Sequence, residues 1–177
     1  MGCTDALVRL YVAKPPPMQE FLALQQVAPL LSGQIQQISS HCGNGWRKVF
    51  NVYAKLVFAL PTPWQPDLQG CATWQSWRDR CLLQASSETS LLFSAPHLPA
   101  LSSPTTARTL HIIAGRQHAR ALVASGELTA PLDWLDEEFA LNAERRLIVC
   151  PYLDYRQLSD VKIARVAAIA AAFCYDG

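Results

Sequence analysis

Three polar stretches each follow an apolar run, and they hold the side chains best equipped for chemistry. The first, residues 94–106, carries His97, Ser102 and Ser103. The second, Gly115–His118, sets Arg116 and His118 at the start of an expected helix, where free backbone N–H groups hold anions. The third, Tyr152–Lys162, gathers Asp154, Tyr155, Arg156, Gln157, Ser159 and Lys162. Arginine binds phosphate and carboxylate bidentately, and a tyrosine ring stacks on flat groups. His97, Arg116, His118, Asp154, Tyr155 and Arg156 therefore form a candidate site for a phosphate-bearing or planar, nucleotide-like ligand. Plainer roles compete with this one. Ser159 caps a helix and Arg156 pairs with Asp154 in an ordinary loop, and His97 is a surface residue. His111, inside an apolar run, is a hydrogen-bonded core histidine.

No catalytic residue follows from these stretches. Gly115-Arg116-Gln117 does not begin a dinucleotide fingerprint, and neither a Walker A loop nor a Gly-x-Ser-x-Gly elbow is present. No cofactor is expected. The six cysteines (Cys3, Cys42, Cys71, Cys81, Cys150, Cys174) form no Cys-x-x-Cys pair, and His41 with Cys42 lacks partners at ligand spacing, so no metal is expected either. The N-terminus shows no basic region followed by an apolar run. Ala6 stands where an acylation signal needs Ser or Thr. The apolar run Val161–Cys174 contains Lys162 and Arg165 and is too short to span a bilayer. A cytoplasmic protein with reduced thiols and no membrane segment is the expectation.

The elements that must position these residues follow from the spacing of apolar side chains. Leu7–Ala13, Thr89–Ala95, Thr109–Ala114 and Arg146–Cys150 are near-continuous apolar runs stopped by Pro or Gly, the mark of strands buried on both faces. Helices are expected over Met18–Val27, from Pro29 toward Ser39, over Trp46–Leu60, over Cys71–Gln84 and from Arg116 to Ala124. Asn44 or Gly45 is a candidate cap for the third of these. Leu132-Asp133-Trp134 reads as the opening of a short acidic helix capped by Asp133. A last, alanine-rich helix follows Ser159. The economical arrangement is an α/β fold, a three-layer α/β/α sandwich with a mostly parallel four-stranded sheet and a helical N-terminal half. In open sheets of this kind ligands bind beyond the carboxyl ends of the strands, which is where the three polar stretches lie.

The chain of 177 residues is half hydrophobic and only 16% charged, with a net charge of +1. This size suits one domain over residues 1–177. The composition excludes disordered, collagen-like and coiled-coil classes and a broadly basic nucleic-acid coat. The neutrality is a sum of unlike segments. Residues 40–120 hold eight bases and three acids, 121–144 hold six acids and no base, and 145–165 hold five bases and two acids. Such segments are expected to pair on the folded surface. Four of the five tryptophans fall between residues 46 and 77, as core residues, as a stacking platform, or as the face of a non-enzymatic partner-binding protein or homodimer.

The order of apolar runs and loops over residues 89–175 resembles the uracil-DNA glycosylase superfamily. TSLLFSAPHLPAL looks like that family's first strand with its Pro-containing loop, and TLHIIAGRQHARAL is similar to its middle strand and helix start. RLIVCPYLDYRQLS stands where the family has a strand and a His-Pro-Ser type loop. The resemblance implies a base-excision hydrolase acting on nucleic acid, with its functional loops after the strands. This chain departs from the pattern at the functional positions. Residues 94–101 offer neither Asp nor Asn, and Cys150 and Tyr152 flank Pro151.

Overall fold

Strand β1, Val8–Tyr11, lies inside the sheet with one parallel neighbour on each side: β2, Thr89–Leu92, and β3, Leu110–Ala114. β3 pairs in turn with parallel β6, Leu147–Cys150. The four continuous apolar runs are thus the four parallel strands, and β3 and β6 are buried at every position. The computed structural model describes residues 1–98 and 109–174. Among these the sheet has six strands, with β4 at Asp133–Trp134 and β5 at Ala140–Asn142, in the order β2-β1-β3-β6-β5-β4. The protein is therefore an α/β protein with a mixed, mostly parallel sheet.

The last two strands correct the sequence reading. Where an acidic helix was expected, β4 (Asp133–Trp134) and β5 (Ala140–Asn142) form a hairpin that continues the sheet antiparallel from β6. Asp133 is an exposed strand residue and caps nothing. The tip is built by Asp136, whose carboxylate accepts the backbone N–H groups of Glu138 at 2.7 Å and Phe139 at 2.9 Å. That local turn competes with a helix. Phe139, fully buried, anchors it to the core.

Successive sheet residues alternate between two apolar clusters. Val8, Leu10, Ile112 and Ile148 join one; Tyr11, Ile113, Leu147 and Val149 join the other. The larger cluster also takes in helices α2 (Gln34–Cys42), α3 (Asn44–Ala59), α4 (Trp74–Arg80) and α6 (Asp160–Ala172), through Ile38, Phe50, Trp77 and Val166. The smaller holds Ala119 and Leu122 of α5, Arg116–Ala124. Helix α1 is a single turn, Gln19–Leu22. Burial of this kind contributes roughly 25 cal/mol per Å² of apolar surface and needs every inward polar group satisfied. Tyr53, buried in α3, accordingly donates its hydroxyl toward the carbonyls of Val8 and Ser90, at 3.2 and 3.0 Å.

Most helices are shorter or displaced relative to the sequence reading. Pro29 does not start α2, which begins five residues later behind Gly33. Gly43, with φ of 74°, precedes α3 where Asn44 or Gly45 was the expected cap. α4 begins after Thr73, whose hydroxyl accepts the Ser76 N–H at 3.2 Å, and it ends at Arg80, short of Gln84. α5 keeps the bounds read from the sequence. Ser159 does stand at the N-cap of α6, but its side chain makes no capping bond.

The tryptophan cluster is core. Trp64 and Trp77 are buried, and Trp46 and Trp74 pack half-buried against the same cluster. Residues Met1–Cys3 run along edge strand β2. The Leu91 N–H donates to the Met1 carbonyl and the Cys3 N–H to the Thr89 carbonyl, with Gly2 bridging Ser90.

Candidate functional site

Three parallel strand exits empty into one hollow. Ala13 lies just past β1, Ala114 and Gly115 close β3, and Pro151 follows β6; all line a cavity of about 890 Å³. Each is small or ring-closed, so little side-chain volume fills the space above the sheet edge. Cavities of roughly 300–1,000 Å³ hold small-molecule ligands in other proteins. Gly115 makes the turn from β3 into α5 at φ of 105°, and its N–H donates to the Cys150 carbonyl at 2.8 Å. It thereby ties the β3 and β6 exits together.

One wall is the first turn of α5, with Arg116, Gln117 and His118. The structure brings Arg116 and His118 together as the sequence suggested. The guanidinium of Arg116 donates to the Glu137 carbonyl at 3.1 Å and stands 3.8 Å from that residue's carboxylate, which is 93% exposed. Burial holds the His118 imidazole below its usual pKa, an effect partly offset by Glu127. His118 is therefore neutral near pH 7, and its Nε2 is buried without a hydrogen-bond partner among the described residues.

The facing wall was missed in the sequence. It is the hairpin tip, Glu137 and Glu138, clamped to α6 by two ion pairs. Lys162 Nζ lies 2.7 Å from Glu138 Oε1 and 2.6 Å from Oε2. Arg165 reaches Asp136 at 2.6 Å and also covers the Phe139 ring at 4.3 Å. The Asp136 carboxyl is held below its ordinary range, chiefly by the Glu138 and Phe139 N–H groups and further by Arg165. The acidic segment 121–144 and the basic segment after it thus pair across the surface, as the charge pattern implied. Single exposed pairs of this kind each contribute only about 0–1 kcal/mol. Here they fix the position of a wall.

The third polar stretch enters through unexpected members. Tyr152 and Gln157 line the cavity, whereas Asp154, Tyr155 and Arg156 do not. Asp154 instead accepts from Lys48 Nζ at 2.7 Å, a contact across 106 residues, and takes the Arg156 N–H at 3.0 Å. These bonds, the Lys48 one foremost, hold its carboxyl below the ordinary range. Tyr155, 53% exposed, has the Lys48 ammonium 4.8 Å from its ring centroid and the Arg156 guanidinium 5.9 Å away. The expected Arg156–Asp154 side-chain pair is replaced by Lys48–Asp154. His97 is exposed and stands outside the cavity lining. Ser102 and Ser103 lie outside the described residues. Tyr152 was visible in the sequence as the second residue after a buried strand, a stronger signal than the polarity that favoured Tyr155.

Among the described residues no group of three or more His, Cys, Asp or Glu side chains is placed to hold a metal ion, and no helix is long and apolar enough to cross a membrane. No curated protein and no solved structure matches the chain. The glycosylase resemblance accordingly finds no support. The strand it placed first, Thr89–Leu92, is the sheet's outer strand beside β1. A model of the family DUF6942, described as a family of unknown function, matches residues 1–171. The chain belongs to the DUF6942 family.

Proposed function

We propose that this protein is a small-ligand-binding α/β domain whose site is the cavity at the exits of β1, β3 and β6, and that the ligand is planar or phosphate-bearing, of nucleotide-like size. One observation carries the reading: the exits of three parallel strands, at Ala13, Ala114 and Pro151, line one hollow of about 890 Å³, the position where open α/β sheets bind ligands. Arg116 and the first turn of α5 supply donors, and the Tyr152 ring supplies a flat face. Gln157 adds an amide that both donates and accepts. The reading takes the fold as three layers, which the division of sheet residues between two helix-bearing clusters supports. It also takes the location as cytoplasmic, which suits six unpaired thiols.

Ala121 provides the test. It lines the cavity from α5 and is exposed, so a large side chain there fills the hollow without entering the core. Ala121→Trp should leave the melting temperature within about 2 °C, since surface substitutions rarely exceed ±0.5 kcal/mol. It should also abolish the thermal stabilisation that nucleosides or nucleotides at millimolar concentration give the parent protein. Equal stabilisation of parent and variant would place binding elsewhere. Stabilisation of neither by any such compound would remove the reading.

A further inference from the structure

We infer that the ligand is recognised through the donor-bearing edge of an uncharged planar heterocycle, two adjacent N–H groups meeting the Glu138 carboxylate, and not through a phosphate. This rests on the reading that the cavity is a ligand site, and it fixes which part of a nucleotide-like molecule the site reads.

The charges decide against phosphate. Among the described residues the lining carries one guanidinium, Arg116, against two carboxylates, Glu137 and Glu138. Arg116 is already engaged by the Glu137 carbonyl and faces the Glu137 carboxylate. The next cation, Lys162, is held by both oxygens of Glu138. His118 is uncharged near neutrality. A phosphate monoester brings nearly two negative charges at pH 7. It would have to break these pairs and then sit beside the carboxylates they release.

The same groups suit a donor edge. A carboxylate only accepts, and its two oxygens offer about four lone-pair directions. Lys162 takes one on each oxygen of Glu138, whose side chain is 45% accessible, so acceptor capacity remains. Two parallel N–H donors match a carboxylate as a fork, the geometry that gives such contacts their specificity. The small side chains at the strand exits leave a slot, and Tyr152, 37% exposed, presents a ring on which a flat ligand stacks.

Guanosine carries adjacent ring N–H and amino donors; inosine lacks the amino group and guanosine 5′-monophosphate adds only the phosphate. Isothermal titration calorimetry at pH 7 and fixed salt should therefore give guanosine at least tenfold tighter binding than inosine. The monophosphate should bind no tighter than guanosine, and inorganic phosphate should not bind. Glu138→Gln, which turns one acceptor into a donor, should weaken guanosine at least tenfold and erase its advantage over inosine. Glu138→Asp should keep part of that advantage. Tighter binding of the monophosphate, equal binding of guanosine and inosine, or an unchanged Glu138→Gln variant would overturn the inference and leave the cavity a ligand site of other chemistry. If none of the four probes binds, the donor-edge inference falls; the ligand-site reading falls only if the Ala121→Trp comparison also fails.

Discussion

Acidification from pH 7 to pH 4 should destabilise the protein by about 3 kcal/mol through His111 alone. His111 sits in β3, 5% exposed, and its Nδ1 shares a 2.8 Å hydrogen bond with the Tyr11 hydroxyl, the two rings stacked at 5.9 Å. Burial, with the nearby Arg9 charge, pushes its pKa down from 6.5 to about 3. In the unfolded chain the imidazole takes a proton near pH 6.5; in the folded one it stays neutral until about 3. Between those values the unfolded state binds more protons, so stability falls as pH falls, and the loss is complete below about 3. His118 shifts in the same direction and adds to it. The depressed carboxylates of Asp136 and Asp154 withdraw their contribution only below about pH 4, so the windows separate. Urea titrations of the parent and of His111→Gln at pH 7 and pH 4 isolate the effect. The variant should lose much less stability between the two pH values, whatever its stability at pH 7. An equal loss in both proteins would show that the histidine is not the group that titrates.

The histidine and the hairpin show what a sequence does and does not expose. His111 was legible as a core residue because it interrupts an apolar run that is buried on both faces. The four parallel strands were legible for the same reason: three or four consecutive apolar residues in each run declare burial without any partner in view. β4 and β5 are two and three residues long, below the length at which alternation becomes a signal, and their acidic tip resembles the first turn of a helix. Missing that hairpin hid Glu137 and Glu138, and with them the wall opposite α5. The cavity's place was readable from the rule for open α/β sheets, and Arg116 and His118 with it. Asp154 lies outside the cavity lining, and Tyr152 within it, for a long-range reason. Nothing near Asp154 in the sequence announces that Lys48, on another helix, will take its carboxylate.

Two glycines with nearly the same backbone angle should respond differently to one methyl group. Gly115 and Gly2 have φ of 105° and 106°, where an L side chain costs about 1–3 kcal/mol from conformation alone. At Gly115 a Cβ would meet only His118 Cβ at 3.8 Å and Tyr152 Cδ2 at 3.9 Å, ordinary contacts. Gly115→Ala should thus cost only the conformational term. It should weaken ligand binding too, because this turn ties the β3 exit to the β6 exit and starts the wall that bears Arg116. At Gly2 a Cβ would lie 2.2 Å from the Thr89 carbonyl oxygen and 2.8 Å from Ser90 Cα. Both are backbone atoms of β2 and cannot swing aside. Gly2→Ala therefore adds an overpacking cost of roughly 1–3 kcal/mol or forces residues 1–3 off the edge strand, exposing buried Met1. Chemical denaturation should rank Gly2→Ala below Gly115→Ala in stability. Amide exchange at Leu91, whose N–H is bound to the Met1 carbonyl, should accelerate in the Gly2 variant alone. Equal costs would mean that the N-terminal segment contributes nothing to the sheet edge; protection at Leu91 surviving Gly2→Ala would mean that the edge absorbs the methyl by shifting as a unit.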